Sequence, residues 1–283
     1  MKDKLSVVIP AYNEEQSIAR VIAEIKQSIK DIDYEIIVIN DASKDSTASI
    51  LTKIKDIKVI TNPTNKGYGA SLKKGIKEAN GNYILIIDAD ETYPADAIQN
   101  LLKSMNKYDM VVGARNKKYI PFIRKPAKWF LTTLASFLAN KKIPDLNSGL
   151  RIFKKDICLE FWNLYPERFS FTSTLTMAFL THNYDVKYVP IDYYKRRGKS
   201  SIQPNDFVNF TKLLFKIVLY FNPLKVFSLL SILLFLIALM VFLYTKIVIG
   251  EVADITTIII TLSALQIFLF GILAELIVKW RIK

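Results

Sequence analysis

The sequence predicts an α/β protein: a mostly parallel sheet with helices on both faces, followed by a C-terminal pair of membrane-spanning helices. Two observations lead there. Short β-branched runs alternate with helical patterns between Leu5 and Asp88, and two uncharged apolar runs follow Lys225. The alternation is that of βαβ units, which build parallel sheets covered on both faces. Each uncharged run has about twenty residues, enough to cross a bilayer at a helical rise of 1.5 Å per residue.

In chain order, LSVVIP is a strand, Ser17 to Lys30 a helix, YEIIVIN a strand, and Thr47 to Ile54 a helix. IKVIT is then a strand, Ala70 to Glu78 a helix, and YILIID a strand. The continuous apolar stretches Ile36 to Ile39 and Ile84 to Ile87 suit central strands buried on both sides. Residues 1–204 form the α/β domain, with an interfacial amphipathic helix near 125–140. Residues 205–224 form a juxtamembrane amphipathic helix, and 225–283 a hairpin with spans near 226–245 and 255–278. Lys212, Lys216 and Lys225 precede the first span and Lys279, Arg281 and Lys283 follow the second, which places both ends of the hairpin in the cytoplasm. The opening MKDKLSVVIPAYNEE lacks the apolar region of a signal peptide, so the α/β domain is expected on the cytoplasmic face, of the cell membrane in a prokaryote. Trp280 fits an interfacial anchor, and Glu275 lies close enough to the cytoplasmic end to snorkel.

Composition narrows the chemistry. Apolar residues make up 51% of the 283, which excludes a disordered chain, and a single Cys closes no intrachain disulfide. One Cys and one His cannot furnish a structural zinc site, so any metal sits mainly on oxygen. Cys158, between Ile157 and Leu159, reads as a buried small residue, and His182 as a turn residue without a catalytic partner.

In such sheets ligands bind beyond the carboxyl ends of the strands. Pro10, Ala11, Tyr12 and Asn13, then Asn40 and Asp41, then Asp88, Ala89 and Asp90 occupy those ends and should converge on one crevice. No GxGxxG follows the first strand, which argues against a dinucleotide-binding dehydrogenase. NKGYGASLKKG, from Asn65, precedes a helix and reads equally as a ligand loop or a flexible turn. Two carboxylates as close as Asp88 and Asp90 repel one another unless solvated or bridged by a cation, which would also neutralise a diphosphate.

The net charge of +13 is concentrated in places. Arg115, Lys117, Lys118, Arg124, Lys125 and Lys128 form one acid-free cluster, and Lys195, Arg196, Arg197 and Lys199 a second. Both adjoin stretches whose spacing gives a helix an apolar face: Trp129, Phe130, Leu134, Phe137 and Leu138 in one, Phe210, Leu213, Leu214, Ile217 and Leu219 in the other. Anionic membrane lipids and a lipid phosphate are therefore expected as partners, and nucleic acid is not.

VVIPAYNEE, NDASKDST, NKGYGAS, DAD, GAR at 113–115 and DLNSGLR at 145–151 together resemble family 2 glycosyltransferases with the GT-A (Rossmann-like) fold. YYKRRGKSSI, NPLK and the two spans resemble the polyprenyl-phosphate sugar synthases of the dolichol-phosphate mannose synthase-like branch. The resemblance implies inverting, metal-dependent transfer of a sugar from a nucleotide diphosphate sugar, UDP- or GDP-linked, to a membrane polyprenyl phosphate. It implies a nucleotide-sugar pocket of Pro10, Tyr12, Glu14, Asn40, Asp41, Ser43, Lys66, Gly67, Asp88 and Ala89, with Asp88 and Asp90 holding Mg²⁺ or Mn²⁺. Asp145, Asp90 and Arg115 are implied as catalytic, and Arg115, Arg124, Ser148, Arg151, Arg196, Lys199 and Ser200 as the acceptor-phosphate site. It also implies self-association of the chain as a homo-oligomer.

This chain departs from the family pattern at three positions: Asn40 replaces the first Asp of DDxS, Thr92 stands where many relatives carry a metal-contacting Gln, and Ser201 replaces the Lys of GKSK, with Arg197 nearby. A polyprenyl phosphate is largely anionic at neutral pH, its second pKa lying near 6, so a strong general base is not obligatory. The need is for cations that screen donor from acceptor, with Asp145 orienting the nucleophile or taking a residual proton. Two rivals fit the superfamily less well. A processive polysaccharide synthase would carry QxxRW and more spans, and a non-catalytic accessory subunit or flippase partner would not need Asp88, Asp90, Asp145 and Arg115 intact.

Overall fold

The structure, a computed structural model, describes residues 4–116, 125–167, 170–194, 215–216, 218–250 and 254–282. They fall into two compact units, 1–210 and 211–283.

The first unit is built on seven strands: β1 (Leu5–Ala11), β2 (Tyr34–Asn40), β3 (Lys58–Thr61), β4 (Tyr83–Ile86), β5 (Met110–Arg115), β6 (Arg151–Lys154) and β7 (Val186–Ile191). Their order is β3-β2-β1-β4-β6-β5-β7, and only β6 runs antiparallel to its neighbours. The helices are α1 (Ile18–Ser28), α2 (Thr47–Leu51), α3 (Tyr68–Glu78), α4 (Asp96–Met105), α5 (Lys125–Ala139), α6 (Lys155–Glu160) and α7 (Phe171–Thr181).

One face of the sheet is covered by α1 and α4. In α1, Ile18, Val21, Ile22 and Ile25 recur at helical spacing and are buried against Leu5, Val7 and Ile9 of β1. Each such aliphatic side chain contributes about 1.5–3 kcal/mol on burial, so this stripe outweighs the weak propensity of its β-branched residues for helix. The other face is covered by α3, whose Gly75 lies against Val8, and by α7, whose Phe179 meets Phe153 of β6 edge to face. Continuous burial of Ile36 to Ile39 and Ile84 to Ile86 matches their central place in the sheet.

Two boundaries differ from the sequence reading in ways that shape the site. α3 starts at Tyr68 rather than Ala70, because Gly67 takes φ 97° as its N-cap and brings the tyrosine into the first turn. The short β6, RIFK, enters reversed between β4 and β5, so the DLNSGL segment before it passes over the carboxyl ends of both neighbours. In α5, Leu131, Ala135 and Leu138 are buried while Trp129 (68% exposed), Phe130 and Phe137 face outward, so Leu138 lies on the core side rather than on the apolar face read for it from sequence.

The second unit contains α8 (Pro223–Tyr244), a π-helical turn (Thr245–Ile249), Gly250 at φ 78° and α9 (Asp254–Ile282). Both helices are long and apolar enough to span a membrane. Small residues bring them together: Ala238 and Ala264 are buried, Gly271 packs on Phe227, and Ser231 donates to the Ala264 carbonyl at 2.8 Å. Their other faces expose Leu229, Ile232, Met240, Ile258 and Leu276, a surface suited to lipid rather than to water. Of the expected juxtamembrane helix, residues 215–216 and 218–221 are helical, and 205–214 lie outside the described residues.

Candidate active site

The loops beyond β1 and β2 are laced together. Asn13, at φ 56°, accepts the Lys44 amide on Oδ1 at 2.8 Å, while its own amide donates to Ser43 Oγ at 3.0 Å. The Glu14 amide donates to Thr47 Oγ1 at 2.9 Å. Tyr12 is left exposed beside this seam, with Pro10 and Glu14 half-buried. Asn40 is buried and its Oδ1 accepts the Ser43 amide at 3.1 Å, so its carbonyl shapes the loop. Asp41 is buried too and accepts from Asn62 Nδ2 and the Lys66 amide on Oδ1, and from the Gly67 amide on Oδ2 at 2.8 Å. Its carboxylate is the anchor of the Lys66–Gly67 turn, a structural duty that the nucleotide contact expected of it did not include.

Beyond β4, Asp88 is half-buried and its Oδ1 accepts the Tyr68 hydroxyl at 2.9 Å. Gly149 closes on it from another side: a Cβ there would meet both oxygens and the carbon of the Asp88 carboxyl, the carbon at 2.8 Å. Asp90 is buried, and its Oδ1 accepts from Thr92, from the hydroxyl at 2.6 Å and the amide at 3.2 Å. Thr92 thus orients Asp90 from within the same loop. Glu91 between them is held at φ 58° and pairs with Arg20 at 3.0 Å, a backbone conformation rarely adopted by a side-chain-bearing residue.

Two oxygen-bearing carboxylates fixed by hydroxyls fit a hard divalent cation that takes its remaining ligands from phosphate oxygens. Among the described residues no cluster of three or more His, Cys, Asp or Glu offers a fuller cage.

Beyond β5, Arg115 grips Asp145, which is only 1% exposed, through Nε to Oδ2 at 2.7 Å and Nη2 to Oδ1 at 2.9 Å. Burial works against the guanidinium, but the Asp145 carboxylate more than offsets it and raises its pKa, so Arg115 is a permanent cation. Its Cζ lies 5.2 Å from the Tyr193 ring centroid, and Tyr193 meets Tyr93 edge to face at 5.3 Å. The Tyr93 oxygen accepts the Gly149 amide at 2.6 Å, and burial raises the pKa of both Tyr93 and Tyr68, keeping their phenols neutral. The Tyr194 amide donates to the Thr92 carbonyl at 2.9 Å, tying the end of β7 to the DAD loop.

Two expected phosphate ligands are placed elsewhere. Arg151 is fully buried, its guanidinium donating to the Ser148 and Thr172 carbonyls and to Thr176 Oγ1, and burial lowers its pKa. Ser148 is also fully buried and donates to the Gly113 carbonyl at 2.5 Å. Both brace the floor under the site. Lys66 has an exposed side chain, and Ala89 is buried between the two carboxylates. Arg124, Arg196, Lys199 and Ser200 lie outside the described residues. Tyr68, Tyr93 and Tyr193 were not singled out from sequence, although each lies in or beside a quoted motif: NKGYGAS, DAD and YYKRR.

Comparison with known proteins gives two family matches: residues 6–162 with Glycosyl transferase family 2, and 222–279 with the GtrB C-terminal hairpin. A dolichyl-phosphate hexose transferase of Haloferax volcanii is 28% identical over 71% of this chain and 88% of its own length. An undecaprenyl-phosphate 4-deoxy-4-formamido-L-arabinose transferase of Proteus mirabilis is 28% identical over 65% of this chain, which spans 59% of that protein. Among solved structures, glucosyl-3-phosphoglycerate synthase from Mycobacterium tuberculosis, in complex with Mn²⁺, UDP and glucosyl-3-phosphoglycerate, superposes with a TM-score of 0.60 at 17% identity, over 76% of this chain and 79% of that one.

Proposed function

The chain belongs to glycosyl transferase family 2, with the GT-A fold, and from that premise we propose that it transfers a sugar from a UDP- or GDP-sugar to the phosphate of a membrane polyprenol, with inversion at the anomeric carbon. The observation that carries the reading is one short segment, Asp145 to Gly149, that touches both halves of the site. Its first residue grips Arg115 and its last packs on Asp88. A donor diphosphate at Asp88 and Asp90 and an acceptor phosphate at Arg115 would thereby be held at a fixed separation.

Asp88 and Asp90 would hold Mg²⁺ or Mn²⁺, which when bound screens the diphosphate and stabilises the departing nucleoside diphosphate. Tyr12, Glu14 and the laced loops after β1 and β2 form the wall for the nucleoside. Arg115 presents its outward N–H groups to the acceptor phosphate, whose anionic oxygen attacks the anomeric carbon as the bond to the diphosphate breaks. No proton need be removed from that oxygen. Asp145, engaged by Arg115, orients the guanidinium, which favours positioning over general-base work.

The polyprenyl-phosphate acceptors named for the Haloferax and Proteus relatives support the lipid acceptor, as do the spanning helices and the aromatic face of α5, a surface suited to the membrane interface. The Lys and Arg flanking the hairpin favour a cytoplasmic catalytic unit. The test is transfer of radiolabelled sugar into organic-extractable lipid by purified protein, with a panel of UDP- and GDP-sugars, undecaprenyl and dolichyl phosphate, and Mg²⁺ or Mn²⁺ against EDTA. A labelled, metal-dependent lipid product is expected. No product from folded protein that binds nucleotide would overturn the reading.

A further inference from the structure

We propose that Tyr68 is a positioning residue of the donor-side cation site, its hydroxyl setting the orientation of Asp88. The inference rests on the functional reading above, in that it takes Asp88 and Asp90 as the carboxylates that hold a divalent ion.

The two carboxylates are fixed by different means. Asp90 is oriented from within its own loop, by the hydroxyl and amide of a residue two positions on. Asp88 is oriented from another element: the Tyr68 hydroxyl reaches it from the first turn of α3, with Gly149 as the wall on another side. A carboxylate held between a phenol and a glycine Cα has little rotational freedom. Its presentation to a cation depends on where α3 begins.

That start is itself secured at three points. Asp41 accepts the Lys66 and Gly67 amides, Gly67 takes φ 97°, and the Ala70 amide donates to the Glu167 carbonyl at 2.5 Å. Gly69 is pressed against the backbone of Pro166 and Glu167, where a side chain has no room. NKGYG is therefore a rigid turn that joins the nucleotide wall at Asp41 to the cation site at Asp88. Groups that orient a metal ligand in this way typically alter affinity about 10- to 100-fold when removed.

The experiment measures Mn²⁺ binding by electron paramagnetic resonance on the full chain in detergent, with saturating UDP and, separately, GDP. Tyr68→Phe keeps the ring and removes the hydroxyl. It is expected to weaken Mn²⁺ binding about tenfold while leaving the thermal midpoint and nucleotide binding in EDTA unchanged. In an Asp88→Asn background the same substitution is expected to add nothing. Mn²⁺ affinity within about twofold of wild type, or an equal further loss in that background, would overturn the inference. Wild-type protein that binds no Mn²⁺ with either nucleotide would overturn the cation reading itself, whereas normal wild-type binding with an unaffected variant fells only the role of Tyr68. Should Tyr68→Phe not fold, 3-fluorotyrosine placed at position 68 alone supplies the readout: its ¹⁹F resonance is expected to shift on adding Mg²⁺ and UDP, and an unmoved resonance counts against the proposal.

Discussion

Arg115 and Asp145 meet in a two-pronged ion pair, Nε to Oδ2 at 2.7 Å and Nη2 to Oδ1 at 2.9 Å, and the Arg115 and Asn147 amides also donate to the carboxylate at 3.2 and 3.3 Å. A carboxylate so engaged is an orienting group. Asp145→Asn should lower transfer about 100-fold, mainly through a raised KM for the lipid phosphate, with kcat less affected. Arg115→Lys should not rescue it, because an ammonium cannot reproduce the fork. Initial rates over a range of acceptor concentration check both. A fall confined to kcat would restore Asp145 as a base.

Arg151 should behave as a structural residue. Arg151→Met strips the guanidinium donors from the Ser148 carbonyl and one of two donors from the Thr172 carbonyl, and should cost about 3 kcal/mol or more of stability. Denaturant unfolding of the purified protein reads this. A stable variant with weakened lipid-phosphate binding would return Arg151 to the acceptor site.

Gly69→Ala should destabilise the protein by about 1–3 kcal/mol, since its Cβ would press on the Pro166 carbonyl and on Glu167 backbone atoms at 2.9 Å, which cannot swing aside as a side chain does. The thermal midpoint checks it.

The Asp109–Lys154 pair at 2.8 Å makes a pH-dependent contribution. Burial opposes ionisation of Asp109, but hydrogen bonds from Lys154 and the Asp185 amide prevail and lower its pKa from 3.8, while Asp109 raises that of Lys154 from 10.5. A lowered acid stabilises fully above its unfolded value and loses that contribution as pH falls through the folded one. A raised base does so fully below its unfolded value and loses it as pH rises through the folded one. Asp109→Asn should therefore be less stable than wild type between pH 3.8 and 10.5, the gap narrowing outside that window. Urea midpoints across pH test this.

Burial pushes the Cys158 thiol up to about 12. It should resist iodoacetamide at neutral pH in the folded protein and react once the chain is unfolded. Mass spectrometry before and after denaturation decides.

Much of this architecture was legible because it is written in local pattern. The apolar runs of β1, β2 and β4 announced parallel central strands, and the uncharged lengths after Lys225 announced spanning helices. Asp88 and Asp90 stand at the end of a strand that the pattern also located. What was not legible depends on partners distant in sequence. The resemblance makes the arginine after Ser-Gly-Leu a phosphate ligand, yet Arg151 is drawn inward by carbonyls of Ser148 and Thr172 that only the reversed β6 and α7 bring together. Tyr68 reads as a turn residue until Gly67 starts α3 early and points the phenol at Asp88, just beyond the next strand. Asp41 carries no sign in its neighbours that its carboxylate closes a loop 25 residues away.

The bond from the Tyr194 amide to the Thr92 carbonyl has a consequence for biogenesis. β7, which delivers Tyr193 to Arg115, is an edge strand and the last to emerge from the ribosome. Until it docks on β5, the guanidinium lacks its aromatic partner and the DAD loop its tether. The nascent chain can wind its earlier βαβ units as they appear, but the candidate site is complete only after nearly the whole α/β unit has been translated. Slow closure of such sequence-distant contacts delays the gain of activity, so transferase function should lag behind the compaction of the first four strands.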